Sequence, residues 1–220
     1  LAFFDPAAHP GRAVVERGLQ VAKDPTRPAL LANLGSGGVN YGSPIWTHLH
    51  FDLSPAPLRN ARFRTVADIA ALPLATASVD VVLCVGQVLN LVTGDLAIAE
   101  IGRVLREGGL SIIEFESTAS LEFVGTPLSQ AARTTVQTFF NHRPVTITAF
   151  RPEEVERVAN AAGLSVISRT SFHIVSALLL RIGRRPEFAA RFAVLDALFS
   201  LIPPLRLRGC KYVLTARKPS

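Results

Sequence analysis

The chain has 220 residues, 49% of them hydrophobic and 18% charged, which is enough apolar content for one substantial core and excludes a disordered chain. Lys and Arg outnumber Asp and Glu by 23 to 17, a net charge of +6. That balance suits nucleic acid, anionic lipid or acidic substrates, and equally a plain arginine-rich surface.

Two cysteines, Cys84 and Cys210, are too few to build a metal site, so no metal is expected. Cys84 lies in an apolar run and reads as a small buried hydrophobe. No apolar run reaches the 18 or so residues that span a bilayer, and no secretory signal pattern opens the chain. A reducing, cytoplasmic setting is the expectation. The chain starts at Leu1 and has no methionine, so its own N-terminus is expected upstream.

The segment before Ala29 reads as an aromatic, proline-bearing arm followed by a helix over 11–23. Val14, Val15, Leu19 and Ala22 share one face of that helix. Strands and helices then alternate. Strands are predicted over Ala29–Leu34, Thr47–Phe51, Arg64–Ala67, Val79–Val85 and Leu110–Phe115. A helix is predicted over Leu96–Leu105, closed by Glu107-Gly108-Gly109. Arg151–Gly163 reads as a helix with acids in its first turn, and Leu164–Ser168 and Tyr212–Ala216 as strands. Between the last two strands, Phe188, Phe192, Leu195, Phe199 and Ile202 repeat every three to four residues and predict a one-faced helix. Strands alternating with helices imply a single α/β domain, 1–220, with a Rossmann-like, mostly parallel sheet and helices on both faces. Residues 29–117 form its first half, and 118–220 its second, with a helical insert at about 173–208.

In such sheets ligands sit beyond the carboxyl ends of the strands, where Gly35, Asp52, Asp68 and Glu116 all fall. The loop Asn33-Leu34-Gly35-Ser36-Gly37-Gly38 follows a strand and lets backbone approach a ligand closely. A dinucleotide fingerprint wants a sixth-position glycine, and this chain has Asn40 there. Asp52 lies 17 residues after Gly35 and can accept from both hydroxyls of a ribose. Asp68-Ile69 offers a polar group and an apolar face, as an adenine needs. Either aspartate could instead cap a turn.

These motifs occur in an order that resembles the class I S-adenosylmethionine-dependent methyltransferases, in their type 11-like bacterial branch. The resemblance runs from about Ala29 to Ser117. It includes Leu72-Pro73-Leu74, Ser78-Val79-Asp80-Val81-Val82 and the run Glu100–Gly109, in which Glu107 replaces the usual proline. It implies a seven-stranded sheet whose last strand is antiparallel, and S-adenosylmethionine as methyl donor. Asn33, Gly35, Ser36 and Gly37 would hold the aminoacid part of that cofactor, Asp52 and Leu53 the ribose side, Asp68 and Ile69 the adenine, and Val85 and Gly86 the sulfur end. Asn33 stands where the family has an acid, and Leu89-Asn90-Leu91 where many relatives read Leu-Glu-His.

The sulfonium is already electrophilic, so the protein mainly aligns an acceptor. A general base helps only if the acceptor must lose a proton. His142, His173 and Glu116 are the candidates, each of which can equally be structural; His48 and His50 alternate along a strand and read as structural. The 173–208 insert can be a lid over a hydrophobic acceptor, a homodimer face, or a peripheral membrane contact flanked by arginines. The leading expectation is methyl transfer to oxygen or nitrogen of a small molecule. An NAD(P)-type oxidoreductase, an RNA methyltransferase and a non-catalytic cofactor-binding module are the alternatives. Without an appended RNA-binding module, nucleic acid is not expected as a partner.

Overall fold

The computed structural model describes residues 10–22, 29–42, 46–140, 143–183, 188–189, 192 and 195–220. Two short apolar runs set its centre. β1 (Ala29–Leu34) and β4 (Val79–Cys84) are each buried at all positions but one, as strands covered on both faces must be. β2 (Trp46–Asp52) and β3 (Arg64–Val66) extend the sheet in parallel on one side. β5 (Leu105–Glu116) pairs in parallel with β4 on the other.

β8 (Ser165–Phe172) and β9 (Lys211–Arg217) complete a seven-stranded sheet in the order β3-β2-β1-β4-β5-β9-β8. β9 is antiparallel to both neighbours, so the sheet is Rossmann-like with its last strand reversed, as expected.

Helices cover both faces. α1 (Pro10–Leu19) sets Val15 and Leu19 against Leu31, Leu83, Ile112 and Val213. α2 (Gly94–Val104) and α3 (Pro152–Ala161) set Ala97, Ile98, Ile101, Val155 and Ala159 against Ala32, Cys84, Ile113 and Leu214. Truncating a fully buried side chain such as Ile101 to alanine costs about 2–5 kcal/mol. At the amino ends of the strands, Asp80 accepts from the Leu30 N–H at 2.9 Å and pairs with Arg106 at 2.9 Å, clamping β1, β4 and β5 together.

Three elements differ from expectation. α2 stops at Val104, because Leu105 is already extended (φ −66°, ψ 138°) and begins β5. The glycines therefore do not cap the helix: Gly108, at φ +73°, turns the chain inside the irregular start of β5. Second, Arg133–Phe140 and Arg143–Phe150 form an unanticipated antiparallel hairpin, β6–β7. Third, the one-faced helix over 188–202 is not continuous among the described residues. The insert there holds α4 (Ile174–Arg181) and a single helical turn, α5 (Asp196–Phe199).

Candidate active site

The carboxyl ends of β1, β2, β4 and β5 form one rim, and the glycine loop stands on it. Gly35 sits at φ +58°, and a Cβ there would lie 2.3 Å from Val88 Cγ2, so both backbone and space demand glycine. Gly37, at φ +54°, has nothing within 4 Å of where a Cβ would be. Its backbone thus faces open space on the rim.

The loop is held from beneath. The Ser36 N–H donates to Phe51 O at 3.1 Å, and Ser36 Oγ accepts from the Gly38 N–H at 3.1 Å. His50 lies 3.1 Å from Ser36 Oγ through Nδ1 and 3.1 Å from Asn40 Oδ1 through Nε2. With Nε2 donating to Asn40, Nδ1 is the acceptor for the Ser36 hydroxyl. Burial holds the His50 pKa below its ordinary value. Burial first, then the neighbouring His50, does the same for His48, whose ring stacks at 5.8 Å. His50 thus holds the loop from below, and Asn40 is committed to this network.

Asp52 ends β2 beside the loop. Its Oδ2 accepts from the Gly37 N–H at 3.1 Å and its Oδ1 from the Ser54 N–H at 2.9 Å. Each carboxylate oxygen keeps acceptor capacity for a further donor. Leu53, next to it, is 65% exposed, a bare apolar surface on the same edge. Asp68 is exposed, and its Oδ1 takes the Ala70 N–H at 2.9 Å. Ile69 turns inward and packs in the core, away from the surface that Asp68 presents. The loop that follows is locked by an ion pair: Arg103 meets Glu100 at 2.6 Å and donates to Leu74 O at 2.7 Å and Leu72 O at 3.1 Å. The Leu72-Pro73-Leu74 and Glu100–Arg103 motifs are thus two halves of one contact.

Asn33 is buried under the loop. Its side chain donates to Val39 O at 2.7 Å, which fixes Nδ2 on that side, because a carbonyl can only accept. Its Oδ1 has no hydrogen-bond partner among the described residues. At the end of β4, Val85 is buried and Gly86 sits at φ +78°. Gln87 follows at φ +68°, rare for a residue with a side chain, and donates to Glu116 Oε1 at 3.3 Å.

Of the three candidate bases, Glu116 lies on this rim, with Oε1 also 2.8 Å from Lys211 Nζ. Its backbone N–H donates to Asn90 Oδ1 at 3.1 Å, and Asn90 Nδ2 donates to Thr148 O at 2.7 Å. Asn90 therefore ties β5 to the hairpin, which is what this chain does with the Leu89-Asn90-Leu91 stretch. His173 is buried at the junction of β8 and α4, three strands away from β4. Its ring lies 5.0 Å from Phe172, and its N–H donates to Asp196. His142 lies outside the described residues.

Sequence reasoning missed Glu114. This residue is 1% exposed, one strand from Gly86, whose N–H donates to its Oε2 at 3.2 Å. The signal was a charge inside the apolar run Ile112-Ile113-Glu114-Phe115. Burial first, then the Glu114 charge, pushes the Tyr41 hydroxyl up to about 12. Cys84, raised to about 12 chiefly by burial, is inert core, as expected.

Residues 33–113 match the family described as methyltransferase domain. No curated protein sequence matches the chain. Among solved structures, a Listeria monocytogenes protein assigned to the S-adenosylmethionine-dependent methyltransferases is similar at 13% identity and TM-score 0.64, over 94% of this chain and 100% of that one. An S-adenosylmethionine-dependent methyltransferase from Mesorhizobium loti is similar at 17% identity and TM-score 0.57, over 91% and 96%. The 1,6-didemethyltoxoflavin-N1-methyltransferase of Burkholderia thailandensis, solved with 1,6-didemethyltoxoflavin and S-adenosylhomocysteine bound, is similar at 15% identity and TM-score 0.53, over 96% and 77%. Residues 33–113 thus match a methyltransferase domain, and the fold of the whole chain is the one seen in these solved S-adenosylmethionine-dependent methyltransferases.

Proposed function

We propose that the chain transfers the methyl group of S-adenosylmethionine to an oxygen or nitrogen of a small-molecule acceptor. The contact between the Gly37 N–H and Asp52 carries this reading. It sets a carboxylate able to take two hydroxyl donors beside a stretch of backbone that faces open space. Asp52 suits the ribose diol, Leu53 and the exposed Asp68 suit the adenine side, and Gly35–Gly37 suit the aminoacid end. Ile69, packed inward, supports that adenine face from beneath.

The cofactor brings the electrophilic methyl, so the protein's own work is orientation and exclusion of water. Glu116 is the described residue best placed to receive a proton from an acceptor, since Lys211 and Gln87 fix its carboxylate at the end of β5. The packed position of His173 suits a structural role. The Burkholderia thailandensis relative, solved with a small molecule bound, favours the same acceptor class here.

In the insert, Leu198, Leu201 and Ile202 are exposed large hydrophobics, and α4 packs on the turn Leu121–Phe123. That arrangement suits a lid over a hydrophobic acceptor, with a homodimer face as the second use. No helix among the described residues is long and apolar enough to cross a membrane.

The test is equilibrium binding of S-adenosylhomocysteine against NAD(P), followed by label transfer from S-adenosylmethionine to a panel of small hydroxyl and amine acceptors. Micromolar binding of S-adenosylhomocysteine alone is expected; binding of NAD(P) in its place would sink the assignment.

A further inference from the structure

Burying a carboxylate without a matching donor or cation is among the costlier things a fold can do. Glu114 does so. It is 1% exposed, it receives one hydrogen bond, from the Gly86 N–H, and its Oε1 has no hydrogen-bond partner among the described residues.

The nearest lysine along that face is already committed. Glu114, Glu116 and Lys211 project from the same side of the sheet, since Glu116 pairs in register with Lys211 and Glu114 with Val213. Lys211 Nζ is taken by Glu116 at 2.8 Å. Glu122 adds a further carboxylate near Glu116, and burial raises its pKa, with the Glu116 charge the next contribution. The carboxyl end of this face is therefore electronegative in a chain whose net charge is +6.

A second orphan acceptor lies on the same face. Asn33 pairs with Leu83, and Leu83 with Ile112, so Asn33 and Glu114 flank β4 from opposite sides on one surface. Asn33 stands where an anion is usual in the resembling family. Here the negative charge sits on β5 instead.

We propose that Glu114 is the anionic anchor for the α-ammonium of the methyl donor. The inference rests on the S-adenosylmethionine reading above. An orphan carboxylate oxygen calls for a donor, best a cationic one, and the ammonium has N–H groups to give where the sulfonium has none. The Gly86–Gln87 turn, with both residues at positive φ and the Gly86 N–H on the carboxylate, borders that oxygen. Glu114 positions the donor and takes no part in bond making.

Calorimetric titration of the full chain tests this, with S-adenosylhomocysteine and its deaminated analogue, in which hydrogen replaces the α-amino group. The wild type should prefer the aminated ligand by about ten- to a hundredfold, the worth of one charge-assisted hydrogen bond. Glu114→Gln keeps an acceptor for Gly86. It should lose most of that preference by weakening S-adenosylhomocysteine while leaving the analogue unchanged, and Glu114→Asp should fall between. Equal binding of the two ligands by the wild type overturns the proposal whether or not the variants fold. So does full preference in Glu114→Gln, and in both cases the donor site still stands. If the wild type binds neither ligand, the proposal falls together with the donor reading.

Discussion

Asp52→Ala separates the ribose assignment from a purely structural role. In the free protein Asp52 satisfies two backbone donors, the Gly37 N–H at 3.1 Å and the Ser54 N–H at 2.9 Å. The Gly37 bond is solvent-exposed, so water replaces much of what is lost, and the stability cost should be about 1–2 kcal/mol. For a chain of this size that lowers Tm by about 2–8 °C. Binding should suffer more. Two charge-assisted bonds to the ribose hydroxyls, at about 1.5–3 kcal/mol each, imply at least a hundredfold weaker binding of S-adenosylhomocysteine. Asp52→Asn tests charge against shape, and a loss between those of the wild type and alanine is expected. Titration calorimetry gives the affinities and a melt gives the stability. A normal Kd for S-adenosylhomocysteine in Asp52→Ala, with the Tm lowered, would refute the reasoning and leave Asp52 as a turn cap.

Gly35→Ala should cost at least ~2 kcal/mol, because its Cβ would meet Val88 and its φ is +58°. Adding Val88→Ala should recover the steric part and not the backbone strain; full recovery in a melt would discount the φ argument. Arg103→Ala should cost about 1–2 kcal/mol by freeing the Leu72 and Leu74 carbonyls, and it should loosen amide exchange in the loop after Asp68. Burial depresses the pKa values of both His48 and His50, so the unfolded chain binds their protons first. Their share of stability should be intact above about pH 6.5 and fall as the pH drops from there toward the folded values. Tm measured from pH 8 to 5 should therefore decline less in His48→Gln than in the wild type, and parallel curves would exclude His48 as a cause.

The cofactor half was legible because its signals are local. β1 and β4 are short, mostly apolar runs, and Gly35 is forced by its own backbone and by Val88, four residues beyond β4. The hairpin was not legible. Along 131–137 no residue is fully buried, so the period-two contrast that marks a strand is faint, and Pro144 interrupts its partner. The end of α2 was misplaced because a glycine pair looks like a helix stop whether it caps a helix or bends a strand. Glu114 was visible as a residue and not as a role: only the three-dimensional structure shows that its second oxygen is unanswered among the described residues.

The reversal of β9 has an effect on how the fold can diversify. Lys211, its first residue, pairs with Glu116 on one side and Phe172 on the other, so the last residues of β5 and β8 and the first of β9 stand in one row. Both ends of the intervening segment are thereby pinned to the reaction edge, whatever its sequence between them. Selection can rewrite that segment while the sheet and the half that carries the glycine loop stay as they are, much as a tool holder accepts different heads on a fixed shank.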